Sequence, residues 1–251
     1  MRAASDNARI ITTMLVWIGA GIAIICALVA VASGLGNRIG AWDYRTALAI
    51  LRWSVSIGAG AGVVALAGLI FAIVTGAGRR AAVAIVGVAI SLSLVLPVWN
   101  LQRTARQLPR IHDVTTDTVN PPEFVALLPT RQKAPNGSAY EGAKVAAEQQ
   151  AGYPDIRPMV IDRPPTQVFD RALAVARSMG WVIAAADRAQ GRIEATATTF
   201  WFGFKDDVVI RITPALTGSQ VDMRSASRVG RSDFGMNARR VREFFAALEA
   251  R

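Results

Sequence analysis

Aspartates and arginines alternate along the C-terminal half of the chain, and they are the residues best placed to do chemistry. The set is Asp206, Asp207, Arg211, Asp222, Arg224 and Arg228. Alternate residues of a strand emerge on the same face, so Asp222, Arg224 and Arg228 are expected to lie together. Opposite charges on one face pair across strands, which is the interpretation we favour. The alternative is an anion site, in which arginines bind a lipid headgroup or a carboxylate.

A second polar segment, residues 225–233, leads from a predicted strand into the start of the last predicted helix. Free backbone N–H groups at a helix start can hold an anion. The candidate ligands there are Ser232, Asn237 and Arg240. The interpretation we favour is structural: Gly230 makes the turn, Asp233 is the N-cap, and Asn237 and Arg240 pack back on the turn.

Three catalytic or metal-binding arrangements are weaker hypotheses. Asp206 and Asp207 would suit a hydrolase as acid and base, but adjacent strand residues point to opposite faces. A serine triad with His112 lacks a GxSxG elbow. His112, Asp113 and Asp117 are possible metal ligands, although Asx turns are their more common use in a proline-bounded segment. We therefore predict no catalytic residues, no metal and no cofactor.

Hydrophobic residues make up 52% of the 251 residues, and they are concentrated before Trp99. The formal net charge of +10 is divided equally between the parts before and after Leu101. Neither part contains the dense basic stripe of a nucleic-acid-binding protein, so no nucleic-acid partner is expected.

Residues 1–100 are predicted to be a transmembrane anchor with three spans, at about 10–32, 53–75 and 81–98. None of the spans contains Asp, Glu, Lys or Arg, so an anchor is favoured over a transport pathway. The glycines of the second span favour close helix packing in lipid; they are Gly58, Gly60, Gly62 and Gly68. A short amphipathic loop is predicted at residues 34–52. An interfacial aromatic belt is predicted from Trp42, Tyr44, Trp53 and Trp99.

The rest of the chain is predicted to contain one α+β domain. Residues 101–158 are rich in proline and lack periodicity, so an extended juxtamembrane segment and a loop are expected. Residues 159–251 alternate like strands between two amphipathic helices. Consecutive strands form antiparallel sheets. We therefore predict an antiparallel sheet of four or five strands with both helices packed on one face.

Five strings of the sequence are distinctive: MGW at 179–181, GRIEATATTFWFGFKDDVVIR at 191–211, VDMRSASRVGRSDFGMNARRVREF at 221–244, RIHDVTTD at 110–117 and NPPEF at 120–124. Together they resemble the DUF1499 family of bacterial proteins of unknown function. The loop GAWDYRTALAILRW at 40–53 resembles that of members with three N-terminal transmembrane helices. The resemblance implies a cell-envelope association and no known activity.

These observations favour a membrane-tethered binding module for a lipid, peptide or protein partner, with the bilayer and an anionic lipid or a protein as the expected partners. The alternatives are the hydrolase built on Asp206 and Asp207 and a scaffold for membrane-protein assembly. The aromatic run at residues 200–204 is expected to pack in a core or to touch the membrane surface. Charges flanking the spans do not decide orientation, but the resemblance favours a multi-pass protein of the bacterial inner membrane with a periplasmic C-terminal domain.

Overall fold

The computed structural model describes residues 2–250, with side chains from Asn7 onward. The chain divides into two compact units. The membrane unit is Met1–Arg103 with Phe200–Gly203, and the sheet unit is Thr104–Thr199 with Phe204–Arg251. Arg2 is one of the charges that flank the first predicted span, and its side chain lies outside the described residues, as does Arg251.

Three long helices form the membrane unit, and all three are long and apolar enough to cross a bilayer, as predicted. They are α1 (Arg2–Arg38), α2 (Tyr44–Val74) and α3 (Gly78–Ala105). Helix α3 continues through Pro97 and beyond the predicted end of the third span.

The predicted loop at residues 34–52 is wrong, because most of it is helical. Helix α1 runs to Arg38, and α2 begins at Tyr44. The Asp43 carboxylate caps α2 by accepting hydrogen bonds from the backbone N–H groups of Arg45 and Thr46, at 2.7 and 2.9 Å. Helix α2 has 31 residues and is thus about 46 Å long, which exceeds a hydrocarbon core of about 30 Å. Its first turns can therefore extend into the headgroup region.

Glycines bring the three helices close together, as predicted for the second span. A Cβ atom on Gly68 would lie 2.9 Å from a Val16 methyl group of α1, and one on Gly62 would lie 2.7 Å from the Ser91 Cβ of α3. Such distances exclude any side chain without movement of the partner helix. Gly60 differs, because a Cβ atom there would meet nothing within 4 Å.

The described residues of the sheet unit form one antiparallel sheet and four helices. The strands are β1 (Asp113–Thr115), β2 (Met159–Ile161), β3 (Val182–Asp187), β4 (Arg192–Thr198), β5 (Lys205–Pro214) and β6 (Ser219–Ser227). The helices are α4 (Leu128–Gln132), α5 (Ala143–Gly152), α6 (Pro165–Ser178) and α7 (Met236–Glu249). The strand order is β1-β6-β5-β4-β3, and β2 also pairs with β6.

Helices α6 and α7 pack on one face of this sheet, which confirms the predicted α+β architecture. Apolar residues of one parity, among them Ile193, Ile210 and Met223, are fully buried against the two helices. Phe244 of α7 is buried as well, and its ring stacks on Trp181 with centroids 5.6 Å apart. We call this side of the sheet the helix face.

The compact unit begins earlier than the predicted residue 159, because the segment before it contributes to the sheet. Strand β1 pairs antiparallel with β6, opposing Val114 to Ser225. The buried Gln149 side chain of α5 bonds to both the backbone N–H and the carbonyl of Thr115. The sheet therefore has six strands rather than four or five. A three-residue strand has no periodicity that a sequence pattern can reveal.

Candidate functional site

The face opposite the helix face carries the alternating charges, and we call it the charged face. Antiparallel register places Arg211 opposite Asp222, and the Arg211 Nη2 atom lies 3.0 Å from Asp222 Oδ2. Arg228 Nη2 lies 2.7 Å from Asp207 Oδ1. The pairing of opposite charges across β5 and β6 is thus present in the structure.

Arg224 has a different partner, which comes from the edge strand β1. Its guanidinium binds both carboxylate oxygens of Asp113, with Nη2 2.7 Å from Oδ2. The planes of Phe124 and Tyr140 lie beside the guanidinium, at 5.0 and 5.6 Å from Cζ to the ring centroids. Arg224 is 2% exposed, so this pair is internal to the sheet unit.

Residues 117–142, which we call the covering arm, cross the charged face and bury Glu194 and Arg224, whereas the side chains of Arg211 and Arg228 remain 24% and 18% exposed. Glu194 of β4 points into the arm and is fully buried. Its carboxylate accepts hydrogen bonds from the backbone N–H groups of Val125, Ala126 and Leu127, at 3.0, 2.9 and 2.9 Å. One buried carboxylate therefore holds three consecutive amides of an irregular segment, which otherwise would lack partners.

Arg131, at the middle of the arm, is an important residue that the sequence pattern does not indicate. It is 1% exposed, lies over the Phe124 ring at 4.6 Å, and donates through Nη1 to Asp207 Oδ2 at 3.2 Å. Burial lowers its pKa, and the charge of Asp207 opposes that effect. Asp207 thus binds two arginines, Arg131 and Arg228, rather than one. The only local signal was the Phe124–Leu128 cluster of large apolar residues in a segment otherwise predicted to be a loop.

The ion pairs of the charged face join five arginines to five carboxylates among the described residues. They are Arg131, Arg192, Arg211, Arg224 and Arg228, with Asp113, Asp117, Glu194, Asp207 and Asp222. Equal numbers leave no excess positive charge to attract an anion. This geometry favours the structural interpretation of the three predicted arginines over an anion site.

Asp206 lies on the helix face, opposite to its neighbour Asp207. Its Oδ2 atom accepts a hydrogen bond from Arg240 Nη2 at 2.6 Å. Arg240 also bonds to Ser225 Oγ at 2.9 Å, and Asn237 Oδ1 accepts from the same hydroxyl at 2.7 Å. The two aspartates are thus separated by the sheet and each is bound to arginine. That geometry does not suit an acid and base acting on one substrate.

Helix α7 begins at Met236, later than the predicted start near residues 232–233. Phe234 and Gly235 both have positive φ angles, 54° and 79°, which delay the helical conformation. Asp233 nevertheless serves the helix start, since its Oδ2 atom accepts from the Asn237 N–H at 2.7 Å. Burial raises the pKa of Asp233, partly offset by these backbone hydrogen bonds. Ser232 Oγ accepts from the Phe234 N–H at 3.4 Å.

The residues of the possible metal site and serine triad have other partners. The Ser227 N–H donates to the His112 carbonyl at 2.9 Å, but the Ser227 hydroxyl accepts a hydrogen bond from Asn237 Nδ2 at 3.0 Å. The carboxylates of Asp113 and Asp117 bind Arg224 and Arg211. His112 Nε2 lies 3.3 Å from Glu141 Oε1. Among the described residues, no group of three or more His, Cys, Asp or Glu side chains is arranged to hold a metal ion.

The tip of the β4–β5 hairpin, Phe200–Gly203, belongs to the membrane unit. It contacts the last two turns of α1 through three polar side chains. Trp201 Nε1 donates to the Val31 carbonyl at 3.1 Å, Asn37 Nδ2 to the Phe202 carbonyl at 2.7 Å, and Arg38 Nη1 to the Phe200 carbonyl at 2.5 Å. The Phe200 residue is 92% exposed. We call residues Phe200–Gly203 the hairpin tip.

Fold and site together define the class: a membrane protein with three candidate spans and an α+β unit whose charged face is internal. The chain belongs to the family described as protein of unknown function, DUF1499, whose family model matches residues 113–248, more than half of the chain. The match begins at β1 and includes the covering arm, which confirms the resemblance seen in the sequence. A search of curated proteins gave no match.

Proposed function

We propose that this chain is a membrane-tethered binding module of the bacterial cell envelope, and that its ligand is membrane lipid, contacted at the hairpin tip. One observation carries the proposal: residues between two strands of the sheet are held on the end of a candidate span. Trp is enriched where a bilayer meets water, and exposed Trp and Phe side chains are typical of segments that insert into the headgroup region. Phe200 and Trp201 supply both types at this place.

The same observations give less support to the other functions predicted from the sequence. The anion site on Arg211, Arg224 and Arg228 would need a face with excess positive charge, whereas each of these arginines is paired with a carboxylate and Arg224 is buried as well. An enzyme using Asp206 and Asp207 would need both carboxylates on one face. A scaffold assembled through the glycines of α2 would need them free, whereas Gly62 and Gly68 are used inside the unit.

A spin label can test whether the hairpin tip touches lipid. Cys26 is the only cysteine, so Phe200→Cys in a Cys26→Ala chain can be labelled specifically. The matched control is Leu216→Cys, fully exposed in the turn that follows the ten-residue strand β5. In liposomes we expect oxygen to relax the label at 200 more strongly than a water-soluble nickel complex does, and the reverse at 216. Aqueous accessibility at both positions would refute the proposal.

The orientation of the module is part of the same proposal. Three spans place the two termini on opposite sides of the membrane. We expect the N-terminus and the Arg79-Arg80 loop to be cytoplasmic and the sheet unit to be periplasmic. An alkaline phosphatase fused to the C-terminus should then be active in bacterial cells, and a fluorescent protein fused there should be dark. An inactive phosphatase fusion together with a bright fluorescent fusion would contradict this orientation and show that the C-terminus is cytoplasmic.

A further inference from the structure

A crevice of about 240 Å³ opens in the membrane unit beneath the Trp201 indole. Its walls are almost entirely apolar. They come from one end of each helix, including Ala27 and Val31 of α1, Leu51 of α2, and Leu94 and Pro97 of α3. The Trp201 ring is fixed over it by the hydrogen bond to the Val31 carbonyl and by contact with Gly34, where any side chain would collide with the indole.

We propose that this crevice holds one acyl chain of an anionic phospholipid. The occupant follows from the location, because the walls are residues of three candidate spans and the surrounding medium at that depth is lipid. An apolar void beside acyl chains is filled most readily by one of them, since the one polar side chain of the walls, Ser93, already donates its hydroxyl hydrogen to the Ile90 carbonyl. This inference deepens the proposed function, and it rests on that function in placing the Trp201 end of the bundle at the membrane surface.

The charge of the headgroup follows from the arginines at the same end of the bundle. Arg52 directly follows the wall residue Leu51, and Arg103 lies little more than one turn beyond Val98. Both are exposed, and their guanidinium groups lie 5.9 and 6.0 Å from the ring centroids of Trp53 and Trp99. Among the residues with described side chains, neither arginine forms an ion pair with a carboxylate. A phosphate-bearing anionic headgroup would supply that missing partner.

The test is lipid retention by the full chain, extracted by mild detergent from liposomes of phosphatidylglycerol and phosphatidylcholine and measured by native mass spectrometry. The wild type should retain one phosphatidylglycerol. Ala27→Phe fills the crevice from α1. It should weaken retention about tenfold, the factor that corresponds to excluding about two methylene groups. The control is Leu28→Phe, which adds a ring at the neighbouring position on the lipid-facing side, where Leu28 is 65% exposed.

A second pair of variants tests the headgroup. Arg52→Gln with Arg103→Gln should retain a lipid but lose the preference for phosphatidylglycerol over phosphatidylcholine. Equal retention by Ala27→Phe and Leu28→Phe would overturn the crevice, and an unchanged preference in the arginine variant would overturn the anionic headgroup.

If Ala27→Phe fails to fold, quenching of tryptophan fluorescence by a brominated lipid tests the crevice instead. Dibrominated phosphatidylglycerol should quench the wild type more than Trp201→Phe, and equal quenching would overturn the crevice. The spin label at position 200 reports separately on the hairpin tip. A lipid-exposed label with no specific retention would leave the proposed function in place and defeat only the crevice.

Discussion

Replacing Asp207 with asparagine is expected to lower the unfolding free energy of the sheet unit by about 3–5 kcal/mol, the cost of removing one partner of a buried ion pair. Asp207 is fully buried between Arg131 and Arg228. The substitution keeps the shape of the side chain but leaves two guanidinium charges without a carboxylate. In a domain of this size the melting temperature should fall by roughly 10 °C. Pulse proteolysis of the full chain in urea, scored on the sheet-unit fragment, measures the change.

Two further variants separate a pair from a network of three. In a simple pair of Asp207 with Arg228, adding Arg228→Gln to Asp207→Asn would restore much of the stability. We expect little restoration, because Arg131 remains charged and 1% exposed. Arg131→Met combined with Asp207→Asn should restore more, since Arg228 still reaches solvent. The three-residue network would be contradicted if the Arg228→Gln combination returned to within about 1 kcal/mol of the wild type.

The second large effect is expected at Glu194, where alanine would leave three backbone amides of the covering arm without an acceptor, one of them buried and two partly buried. Each unsatisfied buried amide costs about 1–3 kcal/mol, and partial entry of water lowers the total. We expect a loss of roughly 3 kcal/mol. The arm should also exchange its amide hydrogens faster than α6 and α7 do, because its attachment to the sheet is what the substitution removes.

Glutamine at position 194 is the matched control. Val125 and Ala126 share Oε1, whereas Leu127 uses Oε2. A glutamine can keep the first two bonds and loses the third, so its effect should be less than half that of alanine. Hydrogen exchange followed by mass spectrometry resolves residues 123–131 from the rest. Unchanged exchange in that peptide of the alanine variant would show that Glu194 does not fix the arm.

The sequence predicted most of the regular elements because their signals are local. Unbroken apolar runs indicated three spans, and alternation indicated β4, β5 and β6. Parity alone predicted that Asp206 and Asp207 lie on opposite faces of a strand. The apolar residues Val241 and Phe244, three positions apart, have the helical spacing of a buried stripe, and both are buried in α7. In each case neighbours along the chain fix the outcome.

Only the tertiary structure decided what the charged face is for. Alternating charges look the same whether they face solvent, a ligand or another segment of the chain. Here Arg131 and Asp113 are far from β5 and β6 in sequence. Arg131 forms an ion pair with Asp207, and Asp113 forms one with Arg224. The attachment of Trp201 to Val31 likewise joins residues 170 positions apart. Such contacts join residues that are distant in sequence and depend on the tertiary fold, so the periodicity of a local segment does not predict them.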